Sequence, residues 1–326
     1  MNRLLVRAGG LYTTVQDTGR FGHYHMGMPP SGAMDIYSAV VANMLVGNAD
    51  DAAVLEATYV GPKLEFTDDR LLAVTGADAP VTLNDEPVEP WTAVRVRPGD
   101  VLAFAMIRAG CRVYVAVSGG IDVPVYLDSR STYTLTGMGG HEGRKLVDDE
   151  TLQLAADGQA TGSGGAVVPE NLRPDLDCPA ELRTVVGLCS YRLTEDALAS
   201  FLGTEWKVTK DADRVGYRLR GGKLDFTERE QPFGAGSDPA NVVDLGYPIG
   251  SIQVPGGDEP IVLLNDAVTG GGYATIGTVI SVDRDRIAQA KTGESVRFRS
   301  VDLDTALAAR RDRRERIEQV RQQLGR

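Results

Sequence analysis

The sequence predicts a mainly β protein with a few helices, and its length and its strand pattern indicate this fold class. The chain has 326 residues, about twice the length of a typical domain. Short apolar stretches recur between Gly, Pro and Asp residues in both halves, for example at residues 71–74, 112–117, 261–264 and 295–298. Strands at this spacing are typical of sandwiches and barrels rather than of a parallel sheet that alternates with helices.

A Gly-rich tract divides these strands into two predicted domains. Gly occupies half of residues 158–165, and three prolines follow before residue 180. This composition is typical of a linker. We therefore predict an N-terminal β domain over residues 1–165 and a C-terminal β domain over residues 180–326.

Local signals predict one hairpin and three helices. Pro and Gly at residues 97–100 favour a tight turn between two short strands. The predicted helices cover residues 33–46, 195–202 and 303–324, and Thr194 is the expected N-cap of the second helix. In the last helix, we expect one apolar stripe formed by Leu303, Leu307, Ile317, Val320 and Leu324, with arginines covering the other face.

The charge balance and the hydropathy exclude two classes of function. The formal net charge is −11, whereas proteins that bind bulk nucleic acid or anionic membrane surfaces are normally basic. No apolar run approaches the roughly 18 residues that a membrane-spanning helix needs. The apolar stretch at the N-terminus is too short for a secretion signal, so we expect a cytoplasmic protein.

Standard motifs of enzymes and metal proteins are absent from the sequence. It lacks the phosphate loop, the dinucleotide fingerprint and the G-x-S-x-G nucleophile elbow. No C-x-x-C pair occurs among the three cysteines, Cys111, Cys178 and Cys189, so we expect reduced, buried thiols. His23 and His25 have no acidic or Cys partner at metal-ligand spacing, and we predict no metal site on this chain.

Four polar segments carry the candidate site residues. The first contains Gln16, Asp17 and Arg20 and leads to Ser31 and Gly32 at the predicted start of the first helix. Because the first N–H groups of a helix are unpaired and carry partial positive charge, a carboxylate or phosphate can bind there. Alternatively, Ser31 caps the helix, and Asp17 and Arg20 form a structural salt bridge.

The second and third segments combine hydroxyl groups with arginines. Residues 129–132 hold three hydroxyls beside one Arg, which can clamp an oxyanion, although such hydroxyls also form turns with their own backbone. In an extended strand, Arg214 and Arg218 lie on one face, and Gly216 between them leaves a gap for an anion. Alternatively, the two arginines bridge surface acids.

The fourth segment combines an amide-recognising pair with glycines and an acid. On a strand, Ser251 and Gln253 point the same way, which suits recognition of an amide. Three glycines at 270–272, just before Tyr273, predict a loop whose N–H groups form an anion nest. Asp266 can act as a general base or hold Mg²⁺.

Taken together, these segments resemble a family named allophanate hydrolase subunit 2. The matching segments run in order along the chain and comprise residues 14–20, 30–35, 119–121, 129–132, 213–219, 250–255 and 266–273. The family includes the C-type subunit of 5-oxoprolinase, the KipA antagonist of a kinase inhibitor, and the biotin-dependent carboxyltransferase region of urea carboxylase. The resemblance implies two cyclophilin-like β-barrel domains.

The resemblance also implies a function as a subunit of an ATP-dependent amidohydrolase. It implies a subunit-1 or KipI-like partner in a heterodimer or heterotetramer, a third LamB/YcsF-like subunit, and ATP with Mg²⁺ for opening 5-oxo-L-proline to L-glutamate. Two alternatives stay open: a KipA-like regulatory binding protein, and a carboxyltransferase-like subunit of a urea carboxylase or allophanate pathway. In the carboxyltransferase alternative, biotin must come from another chain, because no Met-Lys-Met site is present.

The positions that match the family give the predicted site. The predicted catalytic residues are Asp17, Arg20, Arg214, Arg218 and Asp266, with the arginines stabilising developing negative charge. Asp17, Asp35 or Asp266 accepts a proton or holds Mg²⁺. The predicted substrate- or anion-binding residues are Gln16, Ser31, Gly32, Asp35, Ser129, Arg130, Ser131, Thr132, Tyr217, Ser251, Gln253, Thr269, Gly270, Gly271 and Tyr273.

Overall fold

The computed structural model describes residues 2–156 and 164–326, which fall into two compact units. The first unit comprises Met1–Arg20, Ser31–Asp175 and Arg314–Arg326, and the second comprises Phe21–Pro30 and Leu176–Arg313. The predicted domains, 1–165 and 180–326, stay a prediction, and the two units differ from them chiefly in the placement of residues 21–30 and 314–326. Residues 157–163, which include most of the predicted Gly-rich tract, lie outside the described residues.

The first unit is built from two antiparallel β-sheets. Its strands are β1 (Arg3–Ala8), β2 (Tyr12–Gln16), β3 (Val54–Thr58), β4 (Lys63–Phe66), β5 (Arg70–Asp78), β6 (Val81–Leu83), β7 (Glu86–Val88), β8 (Val94–Val96), β9 (Val101–Phe104), β10 (Ala109–Val117) and β11 (Glu150–Gln153). Across the sheets, the order is β11-β1-β4-β9-β6-β7 and β2-β3-β10-β5-β8.

Apolar side chains between the two sheets and under one helix form the core of the first unit. In β1, Leu4 and Val6 are buried while Arg3 and Arg7 are exposed, as the two-residue period of a strand requires. Helix α1 (Ile36–Val46) packs against β5 and β10. It is apolar on nearly all sides and buried along its length after the first residue, which is typical of a helix enclosed by protein.

The predicted hairpin around residues 97–100 is wrong, although the turn is present. Strand β8 pairs with β5, whereas β9 pairs with β4 and β6 in the other sheet. The Asp100 carboxylate accepts hydrogen bonds from the N–H of Arg97 at 2.8 Å and from the side-chain amide of Asn84 at 2.7 Å. Turn residues specify how the chain reverses, but the partner of each strand depends on the core on which it packs.

The second unit contains a closed seven-stranded barrel. Its strands are β12 (Ala180–Val186), β13 (Trp206–Ala212), β14 (Gly216–Arg220), β16 (Ser251–Gln253), β17 (Ile261–Leu263), β19 (Thr275–Val279) and β20 (Ser295–Ser300), while β15 (Asn241–Gly246) and β18 (Gly270–Tyr273) form a separate two-stranded sheet. An odd number of strands cannot close with antiparallel pairs alone, and β12 and β20 are accordingly parallel. The predicted mainly β class is confirmed.

Three further helices are α2 (Glu195–Gly203), α3 (Arg284–Gln289) and α4 (Leu303–Gln323). Helix α2 begins where it was predicted, and the hydroxyl of Thr194 caps it by accepting the N–H of Ala197 at 3.1 Å. Helix α3 was not predicted, because six residues are too few for a periodic apolar pattern. Among the described residues, no helix is both long enough and apolar enough to cross a membrane.

The expected burial of all three cysteines is wrong for one of them. Cys111 and Cys189 are buried, but Cys178 is exposed. Cys178 lies in the connecting segment before β12 rather than inside an element. All three thiols are free.

The predicted apolar stripe of α4 is wrong in its first half. Leu303 and Leu307 are 66% and 47% exposed, whereas Val320 is fully buried. Ile317, Val320 and Leu324 join the apolar cluster around α1. Only the last turns of α4 belong to the first unit, and only there does the stripe have apolar surface to pack on.

We expect Val320→Asp to lower the melting temperature of the protein, because it buries an unpaired carboxylate at a cost of roughly 3 kcal/mol or more. Leu303→Asp is the matched control on the same helix, and its charge stays in water. The measurement is thermal unfolding followed by circular dichroism. Equal melting temperatures for the two variants would contradict the packing of the last turns of α4.

Candidate functional site

The first candidate cluster forms where strand β2 ends. Strand β2 pairs with β3 up to Gln16, which lies opposite Val54, and the chain turns away at Asp17. Asp17 is only 8% exposed. Its backbone carbonyl accepts the N–H of Ala33 at 2.8 Å, which brings the segment before α1 alongside the end of the strand.

The Asp17 carboxylate organises the loop of residues 129–132. Its Oδ1 accepts the hydroxyls of Ser129 and Ser131 at 2.7 and 2.5 Å and the N–H of Gly19 at 2.8 Å. Its Oδ2 accepts the N–H of Arg130 at 2.5 Å. Because hydrogen bonds to an ionised carboxylate are stronger than neutral ones, the predicted oxyanion clamp is held around an anion of the chain itself.

Arg20 lies buried beside this loop. Its Nη2 donates to the carbonyl oxygen of Ser131 at 2.5 Å, and its guanidinium lies 5.9 Å from the centroid of the Tyr126 ring. Gly139 has a left-handed φ of 66°, and a Cβ there would lie 2.6 Å from Arg20 Nη2. Only glycine therefore lets the backbone approach the Arg20 guanidinium this closely.

Gln16 and Thr132 attach the loop to the edge of β2. The N–H and the hydroxyl of Thr132 both donate to the carbonyl oxygen of Val15 at 2.9 Å. The side-chain amide of Gln16 donates to the carbonyl oxygen of Thr132 at 3.2 Å. The structure thus brings together the predicted residues at 16, 17, 20 and 129–132. The Nε of Arg130 donates to a backbone carbonyl, that of Val123, at 3.1 Å.

The predicted start of the first helix at residue 33 is wrong, and this changes the proposed anion site. Helix α1 begins at Ile36, and its N-cap is Asp35. The Asp35 carboxylate accepts the N–H of Ser38 at 3.0 Å and its hydroxyl at 2.7 Å. A carboxylate of the chain itself therefore occupies the positively polarised helix start that was expected to receive an external anion.

Ser31 and Gly32 form a left-handed turn before the helix instead of its first turn. Their φ angles are 54° and 83°, and a positive φ is uncommon for a residue such as Ser. A Cβ at Gly32 would lie 2.8 Å from the Cα of Gly19. The turn therefore packs the backbone of residues 31–32 directly against the chain that follows Asp17. Ser31 is not the helix cap.

A buried network that the sequence analysis did not include holds the other end of this segment. Glu56 Oε2 accepts the N–H of Met34 at 2.7 Å and the hydroxyl of Tyr114 at 2.9 Å, and that hydroxyl accepts the N–H of Asp35 at 2.8 Å. Burial, together with the negative charges of Glu56 and Asp35, raises the pKa of Tyr114 well above its usual value. The available signal was a charged residue inside each of two apolar strands, Glu56 in β3 and Arg112 in β10.

The second candidate cluster, in the second unit, is centred on the ion pair between Arg214 and Asp266. Arg214 Nε lies 2.8 Å from Asp266 Oδ2, and Nη2 lies 3.3 Å from Oδ1, with both side chains buried. The Asp213 carboxylate accepts the N–H groups of Val215 and Gly216. Arg214 therefore lies in a turn before β14. The expectation that Arg214 and Arg218 share one strand face with a gap for an anion is wrong.

Arg218 is paired at the surface with a different acid. Its Nη1 lies 3.2 Å from Glu259 Oε2, and Arg220 Nη2 lies 2.9 Å from Glu259 Oε1. The hydrogen bond from Arg220 lowers the pKa of Glu259 most, burial opposes this effect, and the hydrogen bond from Arg218 lowers the pKa further. Tyr217, which precedes Arg218, is buried, and its hydroxyl donates to the carbonyl oxygen of Ala288 at 3.4 Å.

Tyr247, which the sequence analysis missed, connects several of the remaining predicted residues. Its hydroxyl accepts the N–H of Tyr273 at 2.7 Å and donates to the carbonyl oxygen of the same residue at 2.9 Å. Its own N–H donates to the carbonyl oxygen of Thr269 at 2.8 Å. Burial raises the pKa of Tyr247, and hydrogen bonds with Tyr273 and the Gln253 side chain oppose that rise. The only signal was its place just before the 250–255 segment.

The predicted anion nest at residues 270–272 is wrong. These glycines lie in β18, pair with β15 and have no left-handed φ, whereas a nest needs alternating αR and αL residues. A Cβ at Gly271 would lie 3.1 Å from the ring of Tyr247, so a larger residue there would require that ring to shift by a few tenths of an ångström. The hydroxyl of Ser251, expected to recognise an amide, donates to the carbonyl oxygen of Pro248 at 2.7 Å.

His141, Glu142 and Glu150 have side chains close enough to hold a metal ion. One ligand atom from each lies within 4.8 Å of the others, and this is the one such group in the described ranges. The guanidinium of Arg144 already contacts Glu142 at 2.5 Å and pairs with Glu150 as well. A guanidinium of the chain is therefore already bound to both carboxylates, and we assign no metal to them.

The chain matches the model of the carboxyltransferase domain, subdomains A and B, over residues 26–300. It is 37% identical over 313 residues to urea amidolyase of Lachancea kluyveri, an alignment that covers 92% of this chain and 17% of that protein. It is 35% identical over 318 residues to the C-type subunit of 5-oxoprolinase from Escherichia coli, which covers 97% of this chain and 96% of that protein.

The same relationship appears among solved structures. The crystal structure of the K. lactis urea amidolyase matches with a TM-score of 0.91 at 32% identity, covering 98% of this chain and 20% of that one. The chain thus spans a fifth or less of the urea amidolyases that it matches here. The resemblance seen in the seven polar segments is confirmed, and the chain belongs to the carboxyltransferase domain family, subdomains A and B, together with the C-type subunit of 5-oxoprolinase.

Proposed function

We propose that this chain is a subunit of a 5-oxoprolinase-type hydrolase that opens the lactam ring of 5-oxo-L-proline to give L-glutamate. One observation carries the proposal: the chain corresponds nearly end to end to the C-type subunit of the Escherichia coli 5-oxoprolinase, over 97% of one chain and 96% of the other. A chain that matches one whole subunit is the simplest candidate for the same place in a complex.

Hydrolysis of the lactam is accelerated by a fixed positive charge near the lactam carbonyl. Water adds to the carbonyl carbon, the C–N bond breaks and the nitrogen leaves with a proton, so negative charge develops on the carbonyl oxygen in the transition state. A guanidinium held beside that oxygen lowers the barrier. Arg218 suits this role because its side chain is 38% exposed and a ligand can reach it, whereas Arg214 is buried against Asp266.

The carboxylates predicted to hold Mg²⁺ do not fit that role. Asp17 accepts four hydrogen bonds, Asp35 caps α1, and Asp266 is paired with Arg214. Binding Mg²⁺ at any of them would break these contacts, and Mg²⁺ needs near-octahedral oxygen ligands. We therefore propose that ATP with Mg²⁺ and the general base belong to partner subunits, a KipI-like subunit 1 and a LamB/YcsF-like protein.

A second function is supported by a different observation. The backbone matches that of the K. lactis urea amidolyase with a TM-score of 0.91, so a carboxyltransferase-like role in a urea carboxylase pathway is the second candidate. In that role, the carboxylated biotin comes from another chain, because this sequence has no Met-Lys-Met site. The substrate is then urea, and no glutamate forms.

We expect the chain, purified together with the partners encoded beside it, to release glutamate in a reaction that needs both 5-oxoproline and ATP. The measurement is enzymatic detection of glutamate, with each substrate omitted in turn as a control. A parallel reaction with urea and a biotin carrier tests the second function. Activity in the urea reaction without glutamate release from 5-oxoproline would support the second function and contradict the first. Tight complex formation without either activity would favour a KipA-like regulator.

We expect Arg218→Ala to lower kcat of the complex about 10²-fold without changing the melting temperature. Arg220→Ala is the matched control, because Arg220 lies on the same strand and pairs with the same Glu259 but is 76% exposed. Arg214→Ala is less informative, since it leaves Asp266 buried without its partner at a cost of about 3–5 kcal/mol. Equal activity of the Arg218 and Arg220 variants would remove Arg218 from the site.

The role of Asp17 as an organiser can be separated from a role as a base. Asp17→Asn replaces one acceptor oxygen by an NH₂ group, which faces donors of residues 129–131 instead of accepting from them. We expect a loss of about 2–4 kcal/mol in the free energy of unfolding, measured by denaturant unfolding. An unchanged unfolding free energy together with lost turnover would instead indicate that Asp17 acts on the substrate.

A further inference from the structure

Ser31 holds a strained backbone conformation for which its side chain gives no structural reason. Its φ is 54°, in the left-handed region that a residue with a Cβ rarely adopts. The residue is 2% exposed, and its hydroxyl has no hydrogen-bond partner among the residues that the structure describes. Backbone strain of this kind is kept where the surroundings compensate for it, and it is common at functional sites.

Asn84 shows what a structural side chain does at the same φ of 54°. Its side-chain amide donates to Asp100 Oδ1 at 2.7 Å, and its Oδ1 accepts the N–H of Val101 at 2.9 Å. These hydrogen bonds hold the turn between β6 and β7 against the start of β9 and compensate for the strain. The Ser31 hydroxyl makes no such bond within the described ranges.

A second buried polar atom without a partner belongs to Gln16, at the end of β2. The NH₂ group of this fully buried side chain donates to the Thr14 hydroxyl at 3.0 Å and to the carbonyl oxygen of Thr132 at 3.2 Å. Because a carbonyl oxygen can only accept, Thr132 fixes which end of the amide faces it. The other end, Gln16 Oε1, receives no donor from the part of the chain that the structure describes.

One backbone hydrogen bond joins the segments that carry these two atoms. The N–H of Ala33 donates to the carbonyl oxygen of Asp17 at 2.8 Å. Gln16 directly precedes Asp17, and Ser31 lies two residues before Ala33. Both segments belong to the first unit, so its own fold places the unpartnered hydroxyl and the unpartnered carbonyl on either side of one contact.

The two atoms need a ligand group that both accepts and donates. Gln16 Oε1 can only accept a hydrogen bond, whereas the Ser31 hydroxyl can donate one. A phosphate or carboxylate ion has no proton to give to Gln16, so an anion satisfies only the hydroxyl. An amide presents a carbonyl oxygen beside an N–H and satisfies both atoms.

We propose that Ser31 and Gln16 bind the amide group of a small substrate. The Ser31 hydroxyl donates to the carbonyl oxygen of the ligand, and Gln16 Oε1 accepts its N–H. The inference rests on the proposed function only in that both candidate substrates, the lactam 5-oxoproline and urea, contain this group. It replaces the anion that the sequence analysis assigned to these two residues.

A ligand reaches the two atoms when the backbone beside the turn shifts. A Cβ at Gly32 would lie 2.8 Å from the Cα of Gly19 and 2.9 Å from the carbonyl carbon of Thr18, so this stretch packs directly on the turn. Thr18 and Gly19 are themselves half-buried, and Gly19 has a left-handed φ of 104°. Only a short stretch that contains a glycine has to move, because the Asp17 carboxylate holds the loop behind it.

Isothermal titration calorimetry of the full chain, alone and in complex with the partners encoded beside it, tests this site with three ligands. 5-Oxo-L-proline and 2-imidazolidinone, a cyclic urea, each carry a carbonyl group beside an N–H. L-Proline is the control, because it has the ring and the carboxylate of 5-oxoproline but no amide. We expect both amides to bind, and L-proline to bind at least about tenfold more weakly.

Variants connect the binding to Ser31. We expect Ser31→Gly to weaken binding of both amides about tenfold, because it removes the hydroxyl donor, without lowering the melting temperature, since glycine adopts this φ without strain. Ser31→Ala removes the same donor, keeps the Cβ and should weaken binding equally. Asn84→Gly is the matched control: it loses two structural hydrogen bonds, so its melting temperature falls while its amide binding stays that of the wild type.

Three results would overturn the site. The first is that the wild type, alone and in complex, binds neither amide, in which case the two buried atoms hold water instead. The second is amide binding by the Ser31 variants that is as tight as in the wild type. The third is a melting temperature of Ser31→Gly that falls as far as that of Asn84→Gly, since the hydroxyl then has a structural role. Amide binding without glutamate release contradicts the proposed function alone and leaves this site standing.

Discussion

The carboxylate of Asp17 is the constraint on which the first candidate cluster depends. An ionised carboxylate offers about four lone-pair positions, and donors from Gly19, Ser129, Arg130 and Ser131 use them. Because a buried charge that loses a donor costs about 1–3 kcal/mol, residues 17–20 and 129–132 are fixed as one unit although they lie more than 100 positions apart in the chain. The position of Arg20 follows from this, since its Nη2 donates to the backbone of the same loop.

The same use of acids recurs in both units. Asp35 caps α1, Glu56 holds the two residues before that helix, and Asp266 fixes the guanidinium of Arg214. In each case, a buried acid sets the position of a backbone segment or an arginine. These buried acids therefore act as internal counter-charges, whereas Arg218 is paired with Glu259 at the surface.

Much of the fold could be predicted from local pattern, whereas most of the site contacts could not. The apolar strands and the Thr194 cap follow from short-range rules, and both are present.

The predicted strand pairing at residues 97–100 is wrong because the turn signal does not encode which sheet each strand joins. The family resemblance placed Gln16, Asp17, Arg20 and residues 129–132 in one predicted site, but the occupation of the helix start by Asp35 was not predicted. A single acid can be a cap or a ligand, and only the position of Ser38 one turn later decides between the two. Tyr247 had no local signal apart from its place just before residues 250–255, because the Tyr273 backbone that it binds lies 26 positions away.

Buried ion pairs restrict substitution in this chain more strongly than its exposed arginines do. The scaffold makes up about a fifth of a fused urea amidolyase and nearly all of a separate subunit. A fold that serves in both settings must hold its site through contacts within each unit, and the ion pair of Arg214 with Asp266 and the donors around Asp17 are of this kind. Such buried pairs are costly to alter, because removing one partner leaves an uncompensated charge. Exposed groups change at far lower cost. The buried pairs therefore restrict substitution in this chain most strongly, whereas Arg218 and Arg220, which are paired with Glu259 at the surface, are the arginines of this segment that can change at lower cost.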